Sequence, residues 1–122
     1  MSIKENVKDL YDKILTGRLM EGFEQYYADE VIMQENEDSP RVGKELNRQH
    51  EQNWLASVEA FHGGGVDAIT VDEEAGIAMV ECWMELTYKG APGPMQMREV
   101  CRQHWKNGQI VNEKFYYNAP SQ

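Results

Sequence analysis

The sequence is poor in basic residues and cysteine, and it lacks any long apolar run. Its 122 residues contain 12 Lys and Arg against 21 Asp and Glu, which gives a net charge of −9. Because affinity for nucleic acids and for anionic membrane surfaces comes largely from basic side chains, this balance argues against both as partners. No apolar segment approaches the ~20 residues that a membrane-spanning helix needs. We therefore expect neither a nucleic-acid-binding protein nor a membrane protein.

Cofactor and metal motifs are also missing. The sequence has no phosphate loop and no dinucleotide-binding glycine fingerprint, so no cofactor is expected. Cys82 and Cys101 lie in β-branched and aromatic segments, and neither they nor the histidines have metal-ligand spacing. We interpret both cysteines as buried, reduced thiols and expect no metal. The charged N-terminus lacks the apolar stretch of a signal peptide, which predicts a cytoplasmic protein.

The N-terminal part of the sequence carries two helical patterns. Ser2 and Glu5 form a capping box, and apolar residues then recur at three- and four-residue steps up to Gly17. The same spacing continues from Leu19 and closes at Ala28-Asp29. These patterns predict a first helix and a shorter second helix that packs against it.

A strand, a loop and a longer helix are expected next. Residues 31–35 have strand composition, and 36–41 are rich in turn formers. The segment 43–61 then predicts a third helix. The residues expected on one side of it are Leu46, His50, Asn53, Trp54, Ser57, Val58 and Phe61.

The C-terminal half changes to the two-residue period of strands. After a turn at 63–65, strands are predicted over 66–71, 77–88, 95–105 and 110–117. Short turn-rich segments join them, which is typical of an antiparallel meander. Helices followed by a meander indicate an α+β fold, with one domain over residues 1–122.

The alternation on two of these strands separates an inner from an outer face. Opposite charges stabilise a sheet when they face each other across strands, so the charged positions are assigned to the outer face. Its members are Glu81, Glu85, Arg98 and Arg102, placed around Trp83 and Val100. An apolar centre ringed by charges predicts a homodimer interface. The alternative is a solvated salt-bridge ladder with one exposed tryptophan.

The same assignment leaves polar residues on the inner face. Glu99 and Gln103 alternate with outward residues and therefore point inward with Met97 and Cys101. An inward carboxylate must be paired, protonated or exposed to a cavity. The sequence thus predicts an internal pocket, or else a structural Glu99 that bonds His50 or Asn53 of the third helix.

Three segments carry a resemblance to a known family: 27–31 (YADEV), 40–43 (PRVG) and 105–110 (WKNGQI). With the order of elements, they make the chain similar to the nuclear transport factor 2-like superfamily. Within it, the chain most resembles the SnoaL-like polyketide cyclases and the ketosteroid isomerases. The resemblance covers essentially the whole chain. It implies three N-terminal helices packed on a strongly curved antiparallel sheet, forming a cone-shaped α+β barrel with an internal pocket.

The resemblance also implies roles for individual residues. Tyr11 falls at the position of the isomerases' oxyanion-stabilising tyrosine, and Glu35 at that of their general base. Cys101 takes the place of a second, acidic donor, for which the nearby Glu99 is the expected substitute. The implied activity is cofactor-independent proton transfer on a small apolar carbonyl compound, of the isomerase, cyclase or lyase type.

The expected pocket extends over the helix and the strands. Its predicted lining is Trp54, Met84, Met97, Cys101, Gln103, Phe115 and Tyr117. The phase of the last strand stays open, because a bulge after Ile110 decides whether the odd-numbered residues 113–117 or Lys114 and Tyr116 face inward.

Non-catalytic interpretations stay open as well. Tyr11 is then a packing residue, and Glu35 begins a solvated acidic loop. The chain would in that case be a ligand-binding or dimerisation module, or an accessory subunit that offers an acidic surface to a basic protein.

Overall fold

The computed structural model, which describes residues 2–118, contains three helices and six strands. The elements are α1 (Ile3–Leu15), α2 (Leu19–Tyr26), β1 (Tyr27–Glu35), β2 (Arg41–Val42), α3 (Lys44–Ser57), β3 (Val58–Asp72), β4 (Ile77–Tyr88), β5 (Met95–Lys106) and β6 (Gln109–Tyr116). Within residues 2–118, none of the helices is long and apolar enough to cross a membrane.

Helix α1 begins at the predicted capping box. Ser2 Oγ accepts a hydrogen bond from the Glu5 amide at 3.1 Å, and Glu5 Oε1 accepts one from the Ser2 amide at 3.0 Å. The carboxylate of Glu73, in the turn between β3 and β4, accepts from the amides of Ile3 and Lys4. An acid at a helix N-terminus satisfies free amides and complements the helix dipole. These bonds fasten α1 to one end of the sheet.

The six strands form one sheet in the order β2-β1-β6-β5-β4-β3. Strands β3 to β6 pair antiparallel in succession, which confirms the predicted meander. Strand β1 pairs parallel with β6, so the sheet is mixed rather than wholly antiparallel. The sheet does not close, since β2 and β3 are its edges. The helices and the curved, open sheet together form the α+β cone that was expected.

Two boundaries differ from the prediction around α3 and β3. The helix ends at Ser57 rather than at Phe61, and β3 then runs through 63–65, where a turn was expected. Val58 and Phe61 pair with Tyr88 and Leu86 of β4. Pairing with a neighbouring strand therefore outweighs the helical spacing of these residues, as tertiary contacts often do. Register shifts on both sides of the glycines bend the strand, as β-bulges do.

Smaller differences occur near β1 and β2. Helix α2 ends at Tyr26, and β1 begins at Tyr27 rather than at Val31. The Tyr27 ring stacks on Phe23 with 4.8 Å between centroids, and this contact holds the start of the strand. Within the predicted loop and helix start, Arg41–Val42 pairs with β1 as the short strand β2.

The core lies between α1, α2 and the concave face of the sheet. Alternate residues of β4 point into it, as predicted, and the apolar faces of α1 and α2 cover them. The buried hydrophobic residues at this interface include Val7, Leu10, Phe23, Tyr26, Val31, Met33, Ala78, Val80, Cys82 and Cys101.

Gly64 allows α1 to approach β3 closely. A Cβ atom at this position would lie 2.8 Å from Leu15 Cδ2 and 2.8 Å from the Trp83 carbonyl oxygen. The second contact is with backbone, which cannot move aside easily. A Cβ atom at Gly63, by contrast, would meet no atom of residues 2–118 within 4 Å.

We expect Gly64→Ala to lower the free energy of unfolding by about 1–3 kcal/mol, the usual cost of overpacking. Gly63→Ala is the matched control and should change it by less than about 0.5 kcal/mol, as surface substitutions do. Urea denaturation of both variants measures the difference. Equal stabilities would contradict the close approach of α1 to β3.

Candidate active site

The concave face of the sheet and the three helices enclose a cavity of about 640 Å³. This volume is within the usual range for small-molecule sites, about 300–1,000 Å³. Most of its wall is apolar or aromatic: Tyr11, Ile14, Leu19, Phe23, Tyr27, Trp54, Met84, Tyr88, Met95, Met97, Phe115 and Tyr117. The ionisable groups on the wall include Glu35, Asp38, Arg41, His50, Glu51, Glu99 and Glu113.

Five of the seven residues expected to line the pocket border this cavity: Trp54, Met84, Met97, Phe115 and Tyr117. Cys101 and Gln103 do not, although both point inward as predicted. Both are 0% exposed and lie one layer behind the wall. Cys101 Sγ contacts the Tyr11 hydroxyl, and Gln103 Nε2 donates to Glu113. These two residues therefore support wall residues rather than form the wall.

The bulge in the last hairpin sets which residues of β6 face inward. The register shifts between His104 and Trp105, which places Glu113 opposite Gln103 and Phe115 opposite Cys101. The odd-numbered residues 113–117 therefore reach the cavity. The alternative set points away: Lys114 pairs with Glu37, and Tyr116 is exposed.

Tyr11 projects from α1 to the cavity wall and is 5% exposed. Its hydroxyl oxygen lies 3.0 Å from Cys101 Sγ, and either group can be the donor. Burial, followed by the nearby thiols, raises the pKa of Tyr11 well above its usual value, and burial likewise raises the pKa of the Cys101 thiol. Both groups therefore stay protonated and can donate hydrogen bonds.

Glu35 ends β1 at the cavity and is held by basic neighbours. Arg41 Nη1 donates to Glu35 Oε2 at 2.5 Å, and His50 Nε2 lies 3.8 Å from Oε1. Asn47 Oδ1 accepts from Arg41 Nε at 3.0 Å and fixes the guanidinium. The Glu35 side chain is only 19% exposed, so it does not begin a solvated loop. Glu35 forms a partly buried ion pair.

Glu99 points into the cavity from β5, opposite Cys82 of β4. Its hydrogen-bond partner in the described part of the chain is the Cys82 thiol, with 3.8 Å between Sγ and Oε1. A structural Glu99 was expected to hydrogen-bond His50 or Asn53. Within residues 2–118, Glu99 forms neither bond. Burial and the charge of Glu35 raise the pKa of Glu99 from 4.5 to about 7. A thiol is a weak donor, so this contact stabilises the carboxylate only slightly.

Glu113, on the cavity wall, begins a chain of buried hydrogen bonds that continues behind the wall. Its oxygens accept from the Tyr27 hydroxyl at 2.5 Å and from Gln103 Nε2 at 2.7 Å. Gln103 Oε1 in turn accepts from Trp105 Nε1 at 3.0 Å. Burial raises the pKa of Glu113 to about 7, even though both hydrogen bonds oppose that shift. These hydrogen bonds fix the orientation of Gln103 and Glu113.

Glu51 is not among the residues predicted on one side of α3, although His50 and Trp54 of that set border the cavity. Leu46 is 51% exposed, whereas Asn47 is fully buried and Glu51 and Trp54 reach the cavity. The helical spacing of these three residues is the signal that could have found this face. Burial, then the charges of Glu113 and Glu35, raise the pKa of Glu51 to about 8.

The cavity carboxyls are too dispersed to bind a metal in the usual way. Within residues 2–118, no three His, Cys, Asp or Glu side chains are grouped closely enough to hold a metal ion.

The outer face carries the residues expected at a dimer interface. Trp83 lies opposite Arg98, and Val100 opposite Glu81. The predicted ion pairs with Glu81 and Glu85 are not formed among residues 2–118, because neither acid faces an arginine directly. Arg98 pairs instead with Asp67, and Arg102 Nη2 donates to Asn112 Oδ1 at 3.1 Å. Trp83 and Arg98 also border the cavity.

The cone and its enclosed, mainly apolar cavity define the class of small nuclear transport factor 2-like domains. The sequence profile of the SnoaL-like domain matches residues 1–117. The chain therefore belongs to the SnoaL-like domain family, as the resemblance indicated. No curated protein gives a significant match.

Solved structures agree with this assignment. A protein from Mesorhizobium loti, provisionally named a SnoaL-like polyketide cyclase, is 31% identical, with a TM-score of 0.82 over 96% of this chain and 100% of that one. A provisionally named isomerase from Bacillus subtilis is 11% identical, with a TM-score of 0.78 over 93% and 84%. A ketosteroid isomerase-like protein from Catenulispora acidiphila, in complex with trimethylamine, is 15% identical, with a TM-score of 0.68 over 80% and 72%. The last two similarities show the fold alone.

The raised pKa of Glu113 makes stability depend on pH. The folded chain holds this proton up to about pH 7, whereas a free glutamate releases it near 4.5. The folded state thus binds more protons in that window, and its stability falls as the pH rises through it. At about 1.4 kcal/mol per pKa unit, the loss is on the order of 3 kcal/mol.

We expect Glu113→Gln to remove this part of the decline between pH 4.5 and 7, because the amide cannot ionise. Urea denaturation across the pH range measures it. Glu30→Gln, at an exposed position of β1, is the control and should keep the parent's pH dependence. An unchanged slope in Glu113→Gln would contradict the buried, proton-binding carboxyl.

Proposed function

We propose that the chain is a cofactor-independent enzyme that moves a proton at a carbon next to the carbonyl of a small, largely apolar compound. The observation that carries this proposal is the Glu99 carboxyl, which faces the cavity with only a thiol as its hydrogen-bond partner within residues 2–118. A general base must combine such access with a pKa near the working pH, and that of Glu99 is about 7. The polyketide cyclase name of the Mesorhizobium loti structure, which is 31% identical, supports a reaction of this type.

Tyr11 supplies the second requirement, a donor to the oxygen on which negative charge develops. The Cys101 thiol stays protonated and can donate to the Tyr11 oxygen at 3.0 Å. The tyrosine O–H is then free to donate to a ligand oxygen in the cavity. A preorganised donor at this oxygen stabilises an enolate more than mobile water does.

The proposal gives Glu35 a different role from the one that the resemblance implies. A base should be free to accept a proton, but Glu35 is ion-paired to Arg41 at 2.5 Å. We assign Glu35 and Arg41 to positioning the ligand, and Glu99 to proton transfer.

The assignment is tested by exchange of the protons next to the carbonyl of small cyclic ketones in D₂O, followed by proton NMR. Glu99→Gln should slow the catalysed exchange at least about 100-fold, the usual contribution of a general base. In the parent, the rate should rise with pH through about 7, because the ionised carboxylate is the active form. Tyr11→Phe should lower the rate and leave this pH profile in place.

Two further variants make the test specific. Glu81→Gln, on the outer face of the adjacent strand, is the control and should exchange at the parent's rate. If Glu35→Gln abolishes exchange and Glu99→Gln does not, Glu35 is the base and the proposed assignment is wrong.

A non-catalytic ligand-binding module is the second candidate function. The observation that favours it is that Tyr11 and Glu35 already have partners within the chain. Tyr11 contacts Cys101, and Glu35 is bound by Arg41. Binding of ketones that raises the melting temperature, without exchange above the rate in buffer, would establish this function instead.

We also propose that two copies associate through the outer face of β4 and β5. Its centre is the half-buried pair Trp83 and Val100, and Arg98 and Arg102 flank it. Sedimentation should show a dimer for the parent and a folded monomer for Trp83→Glu. Because Trp83 also covers Gly65, Arg98→Glu at the exposed edge repeats the test without removing that contact. A monomeric parent would refute the interface.

A further inference from the structure

Three cavity carboxyls have no cationic partner in the described part of the chain: Glu51, Glu99 and Glu113. Within residues 2–118, the guanidiniums that border the cavity are those of Arg41 and Arg98, which are paired with Glu35 and Asp67. A buried carboxylate without a counter-charge is costly, because the interior solvates it poorly. A ligand that brings a positive charge would remove this cost.

Glu51 is the least satisfied of the three. Glu113 accepts two hydrogen bonds and Glu99 accepts one, whereas Glu51 has no donor within residues 2–118. The residue is half-buried. The side chain borders the cavity, so a ligand there can reach it.

Aromatic side chains border the same cavity as Glu51. Trp54 is one helical turn further along α3, and its Nε1 donates to the Tyr88 hydroxyl at 3.0 Å. Tyr88 donates in turn to Met97 Sδ at 3.3 Å, so the indole is held in place on the wall. Aromatic faces attract alkylated ammonium groups, with trimethylammonium ligands as the usual example. A metal ion would gain less from contact with these rings than an organic cation does.

We propose that the cavity binds a small organic cation, an alkylated amine or ammonium, with its charge at Glu51 and its alkyl groups against Trp54. The inference rests on the proposed function, since it specifies the substrate class of the same cavity. The substrate would then carry a carbonyl group near Glu99 and a basic nitrogen near α3. Its positive charge would compensate the acids that the chain leaves unpaired.

The test compares choline with 3,3-dimethylbutan-1-ol, which has the same shape and no charge, by isothermal titration calorimetry. The parent should bind choline at least about tenfold more tightly, as expected for a cation held by a carboxylate and an aromatic face. Glu51→Gln keeps the shape of the side chain and should remove this preference. Glu45→Gln, on the exposed side of the same helix, should keep it.

The inference would be overturned if the parent bound both compounds equally or bound neither. It would also be overturned if Glu51→Gln kept the preference for choline. Proton exchange on neutral ketones does not depend on this result. Intact exchange without cation preference would leave the proposed function standing, and cation preference without exchange would leave this inference standing.

Discussion

The register between β4 and β5 is the constraint on which the rest of the molecule depends. Cys82 faces Glu99 and Val80 faces Cys101, so one set of alternate residues lines the cavity and core, and the other forms the outer face. A shift of one residue would move Glu99 to the outer face and Arg98 into the apolar interior. The bulge between β5 and β6 extends the same phase to Glu113. A single alternation therefore determines which acids meet the ligand and which charges meet solvent.

The cavity concentrates acids where their ionisation is unfavourable. Burial is the main cause that raises the pKa values of Glu51, Glu99 and Glu113, and neighbouring negative charges add to the effect. Such an arrangement costs folding stability, and proteins retain it mainly at functional sites. Glu35, by contrast, is ion-paired with Arg41. Within residues 2–118, one of these four cavity carboxyls has a cationic partner and three have none. Both proposals start from this contrast.

The sequence predicted the elements whose patterns are set locally or by one neighbouring strand. The capping box located α1, and the alternation of charge and apolar residues located β4, β5 and their inner faces. It failed at α3 and β3. The segment from Val58 to Phe61 has helical spacing and strand composition, and its pairing with β4 decided between them. The glycines at 63–65 were interpreted as a turn, although they let a bent strand pass close to Leu15 and Trp83.

The sequence by itself thus determined the order of elements, the family and the inward direction of Glu99, because alternation and capping depend on neighbours in the chain. Only the tertiary structure decided the partners. It joined Glu35 to Arg41 and Tyr11 to Cys101, and it brought Glu51 into the cavity. These contacts depend on the curvature of the sheet and on the orientation of α3 against it. Residues separated by up to 90 positions meet only after packing, and no local pattern encodes their distance.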